Sequence, residues 1–445
     1  MTDPSWLSGI LPERVLSQLS VARPRSPRSY GSVCLLCRGG KLLCGKRSCP
    51  VLLRAQALAK TSVRITSPEI CGSSPPGVFV GRIGYPKVYV GPMVPPVTGE
   101  TSVLDTPELW FGRDVQEIVD FRFMLVRGKV PANVSSVDNS FIRELQELAM
   151  VRTPADVEMV LERVPKMVLT LGSDIQPFGP SAPLRDFHLS SNPKTDRRIE
   201  KAYSDRDLPA HQATVELYEQ GVLISSIQRS FSLGMFGIGR QRRLVPTRWS
   251  ITAVDSIVSQ NLIDRLKEYP AIDEFRVYRL SHMDNRFAAI LMPESWSFEW
   301  IEAWFPGTTW NPETAPEPAV MGDHEPYEGR TAYPDIGGCY YACRLAVAEA
   351  LVRERRQASA LVLREIHPGY LLPVGVWFVR ESVRRMLAQR PEVFHDLRSA
   401  LESAVSGLTI PVSRWVDASW LLRRSLFQKK ITEFWQNGGV LKREV

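Results

Sequence analysis

Four of the seven cysteines fall within sixteen residues, Cys34-Leu-Leu-Cys37 followed by Cys44 and Cys49. No other feature restricts the fold as tightly. A segment this short buries too little apolar surface to hold itself together, so it folds around a cross-link. In a reducing compartment, clustered cysteines read as metal ligands before disulfides. The C-x2-C pair sets two sulfurs on one tetrahedral ion, and the second pair closes a four-cysteine site. Zinc is the expected metal, although an iron–sulfur cluster accepts the same four thiolates. With four protein ligands no coordination position stays open for a substrate, so the expected role is structural. Cys71, Cys339 and Cys343 are expected to be buried as small hydrophobes.

This knuckle lies in a strongly basic module. Residues 1–60 carry ten Lys/Arg against Asp3 and Glu13, a net +8 of the chain's +7, so the remaining residues sum to about −1. Such a module carries an electrostatic footprint suited to nucleic acid. The 445 residues, 44% hydrophobic and 23% charged, suffice for two or three full cores. No apolar run approaches the roughly 18 residues needed to span a bilayer, and the first residues lack a secretory layout. The expectation is a cytoplasmic protein without membrane contact.

Along the chain, hydrophobic periodicity predicts a mixed α/β (α+β) fold. Its parts are an N-terminal zinc knuckle within residues 1–60, a mixed-sheet central domain over 61–310, a connector at 311–335, a helix-rich α/β region over 336–424 and a flexible tail over 425–445. The connector holds five prolines and six acids. A hairpin is expected around Val78–Gly91, with Arg82 and Lys87 at its turn. A helix then a strand are expected from Asp114, helices over 139–151 and 154–162, and a polar loop over 172–209. A helix and a strand should feed the middle of the chain from Leu208. Trp249–Val254 reads as a strand with Asp255 capping the helix after it. A second hairpin should turn at Met283-Asp284-Asn285. Cys339–Gln357 is the clearest helix, and Ser359–Ile366 reads as a buried strand.

The middle stretch, Phe236-Gly237-Ile238-Gly239-Arg240-Gln241-Arg242-Arg243 through Arg248, holds four arginines in ten residues with no acid nearby. Glycine amides approach anions closely and arginine forks bind phosphate bidentately. Gly237, Gly239, Arg240, Arg242, Arg243 and Arg248, with Arg82 and Lys87, are therefore the expected phosphate contacts. Whether the phosphate belongs to DNA or to a nucleotide stays open at this point. Asp255, Glu365 and His367 are the acid–base candidates if the chain is a phosphoesterase or nuclease-like enzyme. No pair of them has a diagnostic spacing, so enzymatic activity is left undecided, and a non-enzymatic adaptor is the third reading.

Near the end stands Gln428-Lys-Lys-Ile431-Thr-Glu-Phe434-Trp435. One tight helical turn would project Ile431, Phe434 and Trp435 as a three-pronged apolar plug, with Gln428 anchoring the turn. That is the pattern of a sliding-clamp-binding box, and PCNA is the expected partner. With the cysteine knuckle, Gly84-Tyr85-Pro86 and the Gly239-Arg240 to Trp249 segment, the chain resembles the archaeal Nre DNA-repair family. The resemblance covers nearly the whole chain and implies a DNA-repair role at the sliding clamp. It implies no reaction. The leading expectation is thus a repair factor tethered to the clamp and binding DNA through its basic segments.

Overall fold

In the computed structural model the described residues are 7, 11–22, 34, 36–46, 48–170, 177–190 and 193–428. The strands of the N-terminal part are β1 (Leu19–Ala22), β2 (Glu69–Ser74), β3 (Val78–Val80), β4 (Lys87–Val94), β5 (Val126–Asn133), β6 (Ala155–Leu161), β7 (Met167–Thr170) and β8 (Ser181–Leu189). Those that follow are β9 (Phe275–His282), β10 (Asn285–Met292), β11 (Ser297–Trp304), β12 (Ala319–Glu325), β13 (Ser359–Ile366) and β14 (Glu392–Phe394). They form two six-stranded mixed sheets, in the orders β2-β6-β8-β5-β4-β3 and β12-β11-β13-β10-β9-β14, beside a parallel β1–β7 pair. The mixed α/β class is as the periodicity predicts.

The second sheet is a middle layer. Every residue of β13 is buried, which is why it reads as a continuous apolar run rather than an alternating one. Ala360, Val362 and Ile366 face one core, together with helices Thr247–Leu266, Gly338–Glu354 and Trp377–Leu387. Leu361 and Leu363 face the other, against helices Leu397–Ser406, Val412–Ala418 and Trp420–Phe427. Arg364 lies within this strand. It reaches Glu302 at 2.7 Å and Asn285 at 2.9 Å amid four aromatic rings 5.4–5.7 Å away. Paired and bonded in this way, a buried guanidinium is tolerable. Helix Ser140–Met150 packs on β3 and β8 of the first sheet, helix Pro50–Ser62 on β7 and on helix Val115–Met124, and the first sheet's core is continuous with that of the second.

Several expectations are corrected. The 154–162 segment is strand β6, because Ala155, Val157, Met159 and Leu161 point inward while Asp156 and Glu158 point out, a period of two. The expected loop over 172–209 contains β8, between β6 and β5, and helix Arg197–Ser204, capped by Asp196. Residues 208–228 form two helices, Ala210–Glu219 and the start of Ile224–Ser232. Trp249–Val254 is helical: the helix begins after Pro246, a residue suited to a helix start. Asp255 is thus in mid-helix and caps nothing. Within 311–335, β12 pairs antiparallel with β11, so its middle belongs to the sheet. Cys71 is exposed on β2, whereas Cys343 is buried.

Candidate nucleic-acid interface

The β3–β4 hairpin closes with Gly81 N–H donating to Tyr89 O at 2.7 Å and Lys87 N–H to Gly84 O at 2.9 Å. Gly84 has φ +86, and a Cβ there would stand 2.7 Å from Lys87 O, so the turn demands glycine. Arg82 and Lys87 are both exposed at the tip, beside Ile83 (77% exposed) and Tyr85 (50%).

Three ties fasten this tip to the central arginine stretch. Val80 N–H donates to Thr247 Oγ1 at 2.9 Å. Val134 N–H donates to Pro86 O at 3.0 Å, and Leu244 N–H donates to Val134 O at 2.7 Å. The Tyr85 ring then stands 5.2 Å from the ring of Trp249, which is 46% exposed in the first turn of its helix. Arg243 and Arg248 flank this junction and are exposed. Among the described residues, none of Arg82, Lys87, Arg240, Arg243 and Arg248 stands in an ion pair. The structure thus brings the hairpin tip that carries Arg82 and Lys87 and the segment that carries Arg243 and Arg248 together at a solvent-facing aromatic pair. Neither Tyr85 nor Trp249 is among the contacts expected from the sequence, although each is written beside a predicted basic segment.

Arg242 departs from the expectation. It is 3% exposed, donating to Gly237 O at 2.7 Å, to Tyr203 O at 2.7 Å and to Asp205 O. It staples the loop from inside and offers nothing to a phosphate. Gly237 and Gly239 have φ +112 and +40, and Gly239 N–H donates to Arg206 O at 2.9 Å. They shape the turn, and the Gly239 amide is engaged within the protein. Arg240 follows on this loop and is exposed.

The acid–base candidates are engaged in holding the fold. Asp255 is fully buried, with Arg380 Nη1 at 2.8 and 3.0 Å and Gln228 Nε2 at 3.0 Å. Burial pushes its carboxyl up, and the Arg380 charge opposes that. One oxygen of Glu365 accepts the amides of Thr409 and Ile410, each at 2.7 Å; the other meets His367 Nε2 at 3.1 Å. His367 stacks on Phe305 at 4.2 Å. These contacts fasten the end of β13 to the C-terminal helices.

In the knuckle, Cys49 stands directly before helix Pro50–Ser62, and burial pushes its thiol up. Leu43 N–H donates to Cys37 Sγ at 3.4 Å. The Cys34 thiol is pushed up to about 11, by burial first and then by Cys49, Cys44 and Cys37. The four thiols thus lie close enough to bear on one another's ionisation, and the Leu43 amide suits a thiolate ligand. Among the described residues no three histidine, cysteine or carboxylate side chains already stand at metal-ligating geometry. The knuckle docks on the second half of the chain: Lys46, 3% exposed, reaches Tyr370 O at 3.4 Å. Gln428 is exposed at the end of helix Trp420–Phe427, while Ile431, Phe434 and Trp435 lie outside the described residues.

Fold and site define a class: a two-sheet α/β protein with a cysteine knuckle docked across it and a cationic face bearing exposed aromatic rings. The chain belongs to the archaeal Nre family. The model of its N-terminal part, "Archaeal Nre, N-terminal", matches residues 43–311, and that of its C-terminal part matches residues 325–434. The chain is similar to DNA repair protein NreB of Archaeoglobus fulgidus, at 43% identity over 90% of this chain and 99% of that protein. It is also similar to DNA repair protein NreA of the same organism, at 38% over 83% and 92%. A DNA repair protein NreA of Haloferax volcanii is 37% identical over 71% and 77%. No solved structure matches the chain. Among the described residues no helix is long and apolar enough to cross a membrane.

Proposed function

We propose that this protein is a DNA-repair factor that holds unpaired DNA across the Tyr85–Trp249 face and is tethered to the sliding clamp by its tail. The observation that carries the reading is the exposed ring pair among Arg82, Lys87, Arg243 and Arg248. Unpaired bases stack on aromatic rings whatever their sequence, and cations beside the rings track the phosphates. The relatives' names supply the repair context. Clamp binding rests on Gln428, Ile431, Phe434 and Trp435; attachment there would raise the local concentration of the protein on DNA. The thiolates of Cys34, Cys37, Cys44 and Cys49 would hold a zinc ion or an iron–sulfur cluster, which supplies folding energy to the knuckle.

The test is fluorescence anisotropy with a single-stranded oligonucleotide at fixed salt. Stacking is worth roughly 1–3 kcal/mol per base, so Tyr85→Ala and Trp249→Ala should each weaken binding at least fivefold without lowering thermal stability. Unchanged affinity in both variants would remove the stacking platform from the account.

A further inference from the structure

A second cationic site lies away from this face. Register places Lys87 opposite Asn133 and Met93 opposite Arg127, so the hairpin tip and Arg127 are at opposite ends of β5. Six residues at ~3.3 Å each separate them by about 20 Å. At the Arg127 end a cavity of about 360 Å³ opens, its walls including Arg54, Phe123, Arg127, Arg163, Lys166 and Phe178. That volume falls within the span of small-molecule sites, roughly 300–1,000 Å³. Among the described lining residues there are four cations and no carboxylate.

Arg127 is the telling member. Its Nη2 donates to Gly179 O at 3.0 Å, at a point where the chain runs so close that a Cβ on Gly179 would lie 2.0 Å from Leu125 O. Its Nε is buried without a partner among the described residues. The guanidinium lies against Phe79 at 5.6 Å and Phe178 at 5.0 Å, and no described carboxylate answers it. Burial lowers its pKa to about 10. Lys129, two residues along the same face of the strand, is lowered by burial and then by Arg127. A half-buried cation with an orphaned N–H needs an acceptor in that space, and an anion would answer both the N–H and the cations around it. Arg163 and Lys166 are exposed at the rim, where they can receive one.

We infer that this cavity is a binding site for a phosphate monoester, with Arg127, Arg163 and Lys166 gripping the phosphate and Phe178 available to stack the attached base. A monoester carries nearly two negative charges and three free oxygens, which matches several cations and a guanidinium fork. Phe178 is 50% exposed, so one ring face is open to an incoming base. The monoester can belong to a free nucleotide or to the end of a DNA strand.

The experiment uses the full chain at constant ionic strength. Calorimetric titration with dAMP and with deoxyadenosine reads the free-nucleotide source. Anisotropy with one oligonucleotide carrying a 5′-phosphate, a 3′-phosphate or only hydroxyl ends reads the strand-end source. The expected result is at least tenfold tighter binding of a phosphate-bearing ligand in one of these arms than of its hydroxyl counterpart. Arg163→Ala/Lys166→Ala, two exposed positions, should abolish that ratio, as should Arg127→Gln. Arg82→Ala/Lys87→Ala should weaken every oligonucleotide alike and leave the ratio intact, which separates this site from the aromatic face. Equal affinities in every arm, or a ratio that survives Arg163→Ala/Lys166→Ala, would overturn the proposal.

Discussion

Arg242 and Arg243 are adjacent in sequence and opposite in role. Arg242 is directed into the loop onto three carbonyl oxygens, while Arg243 is exposed and stands in no ion pair among the described residues. Hydrogen bonds involving a charged group are worth about 1.5–3 kcal/mol net, and removal of Arg242 also leaves buried acceptors unpaired. Arg242→Ala should therefore destabilise the protein by at least about 2 kcal/mol in urea unfolding. Arg243→Ala should leave the midpoint unchanged and weaken DNA binding. Spacing could not tell these two arginines apart. The direction of Arg242 is set by carbonyls of Tyr203 and Asp205, some forty residues away in the chain. Glu365 likewise looks like a catalytic carboxylate in a sequence and becomes an anchor only once Thr409 and Ile410 are brought to it.

Elements were legible where one periodicity dominated. The Met283-Asp284 hairpin and the buried strand β13 are as expected, since each has an unbroken pattern bounded by turn residues. The start of helix Thr247–Leu266 was not, because Trp249-Ser-Ile-Thr-Ala-Val carries the β-branched content of a strand. Tertiary packing overrides that preference: the helix lies along Gly338–Glu354, with Arg344 bonded to Ser259 at 3.1 Å. The Asp255–Arg380 pair then locks it to helix Trp377–Leu387. Asp255→Ala would leave the 1%-exposed Arg380 without its buried partner. Breaking one side of such a pair costs about 3–5 kcal/mol, a loss that chemical denaturation should register. Asp255→Ala/Arg380→Met should recover much of it.

Over the whole molecule, the knuckle and the two sheets make one continuous assembly. Lys46 and Gly45 sit against Tyr370 and Glu313, so an ordered knuckle also braces the second half of the chain. Purified protein should carry metal, about one zinc ion if the site is a mononuclear four-thiolate one. Cys34→Ser/Cys37→Ser should lose it by elemental analysis and melt several degrees lower; full stability without metal would contradict a structural metal. How the two sheets assemble was not legible, because strands such as β8 and β12 lie in polar, proline-containing text that also suits loops. What was legible at this scale is the pairing of a basic hairpin with the central arginines. The central claim is that these cations share one DNA path. The most direct test is the salt dependence of single-stranded DNA affinity for the wild type and for Arg82→Ala/Lys87→Ala/Arg243→Ala/Arg248→Ala. At ~0.7 per phosphate contact on single strands, the slope of log K against log salt should become shallower by about 3. An unchanged slope would contradict the account.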